Sequence, residues 1–217
     1  MFPVRRSDDT PGNRGVTMTT KKRDGDGTNE WQILRSDELY STPYFRFRKD
    51  TCALPDERVM PAYYVWELVD WVNVVPLTED GHIILVNQYR HAAQRRFYEF
   101  PGGTTEPGIE EQAEDAARRE LREETGYEAS ELEYLGHHYP NPGIQNNRMH
   151  VYLATGCIKV GEPQLDTYED IEVESINVQE FVQAVEQGRP MHSLMMASLT
   201  LALPAIKKFY SLSSMAL

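Results

Sequence analysis

One stretch restricts this chain more than any other: Pro101-Gly102-Gly103, followed by Arg119-Glu120-Leu121-Arg122-Glu123-Glu124-Thr125-Gly126-Tyr127. From Glu110 to Thr125, the residues Ala113, Ala116, Ala117 and Leu121 recur at helical spacing, and Gly126 can end the helix in the left-handed region. On that predicted helix Glu123 lies about 60° and Glu124 about 40° from Glu120, on opposite sides, so the three carboxylates share an arc of about 100°. Like charges on one face repel and weaken an isolated helix. Two arrangements answer that repulsion. Arg118, Arg119 and Arg122 can balance a solvated acidic face, or cations can be bound there. Carboxylate oxygens are the hard ligands that Mg²⁺ or Mn²⁺ prefers. The glycine pair ahead of the helix lets a ligand come close to the backbone.

Overall charge bears on the choice. The formal net charge is −12, which argues against a surface built to grip nucleic acid. It does not argue against a small phosphorylated ligand, because divalent cations can sit between carboxylates and an anion. No apolar run reaches bilayer length; the longest, Leu194 to Leu203, suits a buried helix. Arg5 and Arg6 are not followed by an apolar stretch, and Asp8, Asp9, Asp24 and Asp26 are unlike a transit peptide. Cys52 and Cys157 stand in neither a metal-ligand nor a redox spacing. The expectation is two buried free thiols, a cytoplasmic location and no membrane partner.

Residues Met1 to Asn29 carry hardly an aliphatic side chain, and a mobile tail is expected there. From 30 to 70, segments such as Tyr44–Arg48 and Ala62–Trp66 predict antiparallel strands. Residues 71–217 form the second region. Trp71–Leu77 and His82–Tyr89 flank Thr78-Glu79-Asp80-Gly81 and read as a buried hairpin. Strands are expected at Leu132–His138 and Met149–Cys157. Asn177 with Glu180 caps a helix that Gly188 closes, and a last helix runs from about Ser193 to the chain end, bent at Pro204. Strands and helices without strict alternation predict an α/β sandwich around a mixed sheet.

The segment Arg119 to Tyr127 resembles the second half of the Nudix box, Gly-x5-Glu-x7-Arg-Glu-U-x-Glu-Glu-x-Gly-U, where U is aliphatic or aromatic. Glu111 stands where the box places its first glutamate. The first half departs: Thr105 takes the glycine position, and the glycines sit at Gly102 and Gly103, consistent with a two-residue insertion around Pro107-Gly108-Ile109. Beyond the box, Asn87-Gln88-Tyr89-Arg90, Tyr98-Glu99-Phe100 and Tyr168–Val173 are similar to the ADP-ribose and nucleoside diphosphate sugar pyrophosphatase subgroup.

That resemblance implies an α/β/α sandwich and metal-dependent hydrolysis of a diphosphate bond, giving a nucleoside monophosphate and a sugar phosphate. It implies Gly102 (through its carbonyl), Glu120 and Glu124 as ligands of Mg²⁺ or Mn²⁺, Glu123 as a further catalytic carboxylate, and Arg119 as the residue orienting the glutamates. Arg90 and Glu99 are the expected substrate-binding residues. Glu169 is the candidate general base, with Asp170 and Glu172 competing. The loop Tyr139–Arg148 either reads sugar hydroxyls or is a proline-stiffened turn. The aromatics Tyr44, Phe45, Phe47, Tyr63, Tyr64 and Trp66 either stack a base across a homodimer or build a sheet core. Other di- or polyphosphate substrates, and a non-catalytic nucleotide-sugar-binding module, are the competing functions.

Overall fold

The computed structural model describes residues 30–105, 111–189 and 191–210. The expected tail, the loop around Pro107-Gly108-Ile109, Glu110 and the end of the last helix lie outside them. Contacts divide the chain into two units, one of residues up to Leu68 with Asn141–Asn146, the other of Val69–Pro140 with Asn147–Leu217.

The first unit is an antiparallel sheet of β1 (Gln32–Ser41), β2 (Phe45–Ala53) and β3 (Val59–Leu68), with β2 central. Its aromatics pair across strands: Phe45 stacks on Trp66 and Phe47 on Tyr64, which favours β pairing. Residues Asn141–Asn146 lie along β3. Trp66 N–H donates to the Ile144 carbonyl (2.7 Å), Leu68 N–H to Asn146 Oδ1 (2.9 Å) and the Tyr63 hydroxyl to the Gly143 carbonyl (2.7 Å).

The second unit holds the remaining strands: β4 (Trp71–Pro76), β5 (His82–Arg90), β6 (Arg95–Glu99), β7 (Tyr127–Glu128), β8 (Glu131–His138), β9 (Met149–Thr155), β10 (Ile158–Lys159) and β11 (Ile171–Asn177). Its helices are α1 (Ala113–Thr125), α2 (Val178–Glu186) and α3 (Ser193–Tyr210). A mixed sheet runs β4-β9-β8, with β4 parallel and β8 antiparallel to β9. A second, antiparallel sheet runs β11-β5-β6, and β7 pairs with β10. Successive side chains of a strand point to opposite faces, so β4 and β9 serve two cores. Val72, Val74, Tyr152 and Ala154 pack on Ala116, Ala117 and Leu121 of α1. Val75, Val151 and Leu153 pack on Phe181 of α2 and Met195, Leu199 and Ile206 of α3. The result is an α/β/α sandwich.

Two expectations are corrected. Trp71–Leu77 and His82–Tyr89 are buried strands but not a ladder-forming hairpin. They share a single bridge, Leu77 to Ile83, and then diverge into different sheets, because β4 takes β9 as its partner and β5 takes β11 and β6. Helix α1 starts at Ala113, and Glu111 and Gln112 ahead of it are not helical. Gln112 is extended (φ −73°, ψ 145°), and Glu111 is held outside the helix by Arg119.

Asn177 caps α2 through its side chain, which accepts from Gln179 N–H at 2.9 Å. Pro204 lies inside α3. Cys52 and Cys157 are free and buried. Among the described residues no helix is long and apolar enough to cross a membrane.

Candidate active site

The site lies in the second unit, where the glycine pair runs along the open edge of β4. Val74 N–H donates to the Pro101 carbonyl and Val72 N–H to the Gly103 carbonyl, both at 2.9 Å, and Trp71 bridges to Thr104. With the flanking carbonyls turned toward β4, the Gly102 N–H turns the other way. That N–H donates to Glu124 Oε2 at 2.8 Å.

Both glycines are required by close approach. A Cβ on Gly102 would lie 2.2 Å from the Val72 carbonyl oxygen, and one on Gly103 would lie 2.3 Å from Glu120 Oε1. The bare Gly103 backbone is therefore what lets the Glu120 carboxylate settle over the turn. At the far end of α1, Gly126 takes φ +73° and returns its N–H to the Arg122 carbonyl, as a left-handed cap does.

Helix α1 presents its three site glutamates unequally. Glu120 and Glu124 are buried, at 9% and 4% exposure, whereas the Glu123 side chain is 43% exposed. Burial raises the Glu120 carboxyl to about 7; Arg119 opposes this, and the charges of Glu123 and Glu169 add to it. Burial also pushes Glu124 well above the carboxylate range, against the Gly102 N–H and with Glu120 and Glu169 adding repulsion. Arg119 offsets the cost of charge on Glu120, and Arg90 that on Glu124, only in part.

Arg119 is the hub of the cluster. It bonds Glu111 through Nε (3.0 Å) and Nη2 (3.1 Å), Glu120 (2.9 Å) and Glu123 (3.0 Å) through Nη1, and the Thr104 carbonyl (3.0 Å). Its guanidinium is held firmly in the charged form, first by Glu111. The arginine thus ties the helix to the turn.

Opposite α1, the three acidic candidates of the later loop separate. Asp170 pairs with Arg96 at 2.7 Å, and Glu172 lies 3.7 Å from the same arginine. Glu169 caps its own loop by accepting from Asp166 N–H at 2.9 Å, and its charge is felt by Glu120, Glu124 and Arg90. Arg90, at the end of β5, forms a two-pronged pair with Glu99 (Nε–Oε1 2.8 Å, Nη2–Oε2 2.5 Å). Glu99 is 4% exposed. Burial works against its charge, but Arg90 and then His192 hold it below the usual carboxylate range.

Two residues of this neighbourhood went unnoticed in the sequence. Asn73 is buried in β4, its Nδ2 donating to the carbonyls of Phe100 (3.1 Å) and Pro101 (3.3 Å) and its Oδ1 accepting from Ser198 of α3 (2.9 Å). An asparagine inside the apolar run Trp71–Leu77 was the available signal, since buried amides need partners. His192, just before α3, reaches Glu99 (3.2 Å), and nothing in its sequence context marks it.

A divalent cation fits this donor set in its chemistry. Glu120 and Glu124 offer hard oxygens whose charge is only partly compensated, and the Gly102 backbone, bonded through its N–H to Glu124, lies beside them. Among the described residues no three Asp, Glu, His or Cys side chains form a group that could hold a metal by themselves. Mg²⁺ rarely asks for one, being bound by one or two carboxylates and completed by water and substrate phosphate.

Residues 68–198 match the family model described as the NUDIX domain. Over 170 residues the chain is 31% identical to an ADP-ribose pyrophosphatase of Mycobacterium tuberculosis (strain ATCC 25618 / H37Rv), covering 78% of this chain and 81% of that protein. Over 161 residues it is 28% identical to a methanol dehydrogenase activator of Bacillus methanolicus, covering 74% and 85%. The crystal structure of an ADP compounds hydrolase superposes with a TM-score of 0.71 at 20% identity, covering 85% of this chain and 98% of that one. At that identity the likeness speaks to the fold.

Proposed function

Because this chain belongs to the NUDIX family, by the match over residues 68–198, we propose that it hydrolyses the P–O–P bond of nucleoside di- and polyphosphate derivatives. The observation that carries this is the pair of buried, under-compensated carboxylates, Glu120 and Glu124, set against the Gly102-Gly103 turn. The relatives' names differ, so the wider substrate class comes first. The name of the mycobacterial relative supports a narrower form, in which ADP-ribose or another nucleoside diphosphate sugar yields a nucleoside monophosphate and a sugar phosphate.

In this reading Glu120, Glu124 and the Gly102 carbonyl hold Mg²⁺ or Mn²⁺, with Glu123 at the exposed rim. The bound cation supplies charge neutralisation and Lewis acidity at the diphosphate. Arg119 fixes the glutamate rotamers through the bonds described above. Arg90 offers a charge-assisted donor to a phosphate oxygen. Glu169 takes the proton from the attacking water as its oxygen bonds to phosphorus and the bridging oxygen leaves. The exposed aromatics Tyr40, Tyr64 and Trp66 of the first unit are surfaces for a second copy in a homodimer, which light scattering tests.

The test of function is incubation with Mg²⁺ and ADP-ribose, ADP-glucose, UDP-glucose, a dinucleoside polyphosphate and a nucleoside triphosphate, with products identified by chromatography. Release of a monophosphate product from at least one supports the reading. Absence of cleavage in all, with Mg²⁺ and with Mn²⁺, removes it.

A further inference from the structure

The contact between His192 and Glu99 takes no part in the roles assigned above. His192 occupies the N-cap position of α3: its carbonyl accepts the first helical bond, from Met196 N–H (3.2 Å), and its Nδ1 accepts from Met195 N–H (3.3 Å). An Nδ1 that accepts leaves the proton of the neutral ring on Nε2. Nε2 lies 3.2 Å from Glu99 Oε2, the oxygen that also takes Arg90 Nη2. Phe97 meets the ring edge-on, with centroids 6.0 Å apart. The imidazole is thus fixed by the helix on one side and by Phe97 and Glu99 on the other.

Glu99 is buried, and Arg90 and His192 meet at its Oε2. Arg90 spends Nε and Nη2 on Glu99, and among the described residues its Nη1 has no partner. The charges of Glu124 and Glu169 act on the same guanidinium, which places it beside the acidic site.

We propose that His192 is a positioning residue for substrate phosphate. By holding the Glu99 oxygen that Arg90 Nη2 also grips, it fixes the direction in which the Arg90 guanidinium presents its remaining donor edge. This rests on the reading of Arg90 as a phosphate-binding residue. Without the clamp, Glu99 rotates on its own side chain and carries Arg90 with it. The loss falls on ligand affinity and not on the chemical step, because His192 reaches no reacting atom. Helix α3 then buttresses the site twice, through His192 to Arg90 and through Ser198 and Asn73 to the glycine turn.

Two substitutions separate clamping from helix capping. Asparagine is a good N-cap but too short to reach Glu99 from this position; glutamine reaches further and caps poorly. His192→Asn is expected to raise KM for a cleaved nucleotide substrate, and Kd for ADP by calorimetry, about tenfold, in keeping with a lost hydrogen bond to a charged group. Its kcat stays within about twofold, and because the cap is kept its Tm falls by no more than the loss of one hydrogen bond explains. His192→Gln recovers most of the affinity while lowering Tm. In an Arg90→Ala background His192→Asn adds nothing further. Unchanged KM and Kd in His192→Asn, or full additivity with Arg90→Ala, overturns the proposal. If ADP binds tightly and responds to His192→Asn while no substrate is cleaved, the proposed function fails and the clamp stands. If a substrate is cleaved while His192→Asn leaves its KM unmoved, the clamp fails and the proposed function stands.

Discussion

Replacing Glu120 with glutamine should stabilise the cation-free protein while ending its activity. The Glu120 carboxyl sits at 9% exposure and titrates at about 7 instead of 4.5, because burial, with Glu123 and Glu169 adding repulsion, outweighs the help of Arg119. A rise of that size corresponds to about 3 kcal/mol of destabilisation once the carboxylate is fully charged. Glutamine keeps the shape and still accepts from Arg119 Nη1, but its new NH₂ group needs an acceptor, at about 1 kcal/mol. The net gain at pH 8 is therefore about 1–3 kcal/mol, or roughly 3–10 °C in Tm for a chain of this size. The sign follows from the raised folded-state value: the wild type holds its full contribution below about 4.5 and loses it as pH rises through about 7. The advantage of Glu120→Gln is thus large at pH 8 and mostly gone at pH 5. Thermal unfolding in a chelator at both pH values reads this directly. A variant less stable than wild type at pH 8, or a difference independent of pH, refutes the reasoning. Added Mg²⁺ should stabilise the wild type at pH 8 and leave the variant nearly unmoved.

Three further outcomes are expected. Gly103→Ala places a methyl group 2.3 Å from Glu120 Oε1; turnover should fall at least about 10²-fold with the circular dichroism spectrum retained, from misplacement at the reacting centre. Glu169→Gln should lower kcat by about 10²–10⁴, whereas Asp170→Asn, which only loosens Arg96, should leave kcat within a few-fold; equal effects would remove Glu169 as the base. Asn73→Ala takes a partner from the Ser198 hydroxyl and the Phe100 carbonyl, while Pro101 keeps Val74 N–H, and should cost about 1–3 kcal/mol in urea unfolding.

What the sequence disclosed follows the range over which its signals act. Helical periodicity and a capping glycine are local, so α1, its acidic face and its end at Gly126 were legible. So were the Asn177 cap of α2 and the apolar character of β4 and β5. Strand partnership is not local. The turn between β4 and β5 read as a hairpin, and only the placement of β9, more than seventy residues later, takes β4 into another sheet. The start of α1 was misjudged because the letters around Glu111 suit a helix, while its carboxylate is paired with Arg119 ahead of the helix. The glycine pair read as room for a ligand; in the structure it first makes room for Glu120 and for β4. Glu169, Asp170 and Glu172 were equivalent as letters and separate once Arg96 claims two of them. His192 was invisible because its partner, Glu99, lies far off along the chain.

The account stands on Glu120 and Glu124 as the seat of a divalent cation, and manganese binding followed by electron paramagnetic resonance tests that most directly. Wild-type protein at pH 8 is expected to bind Mn²⁺, with Mg²⁺ competing, and Glu120→Gln and Glu124→Gln, both folded, to lose that binding together with turnover. Undiminished Mn²⁺ uptake by the folded Glu124→Gln protein would contradict it.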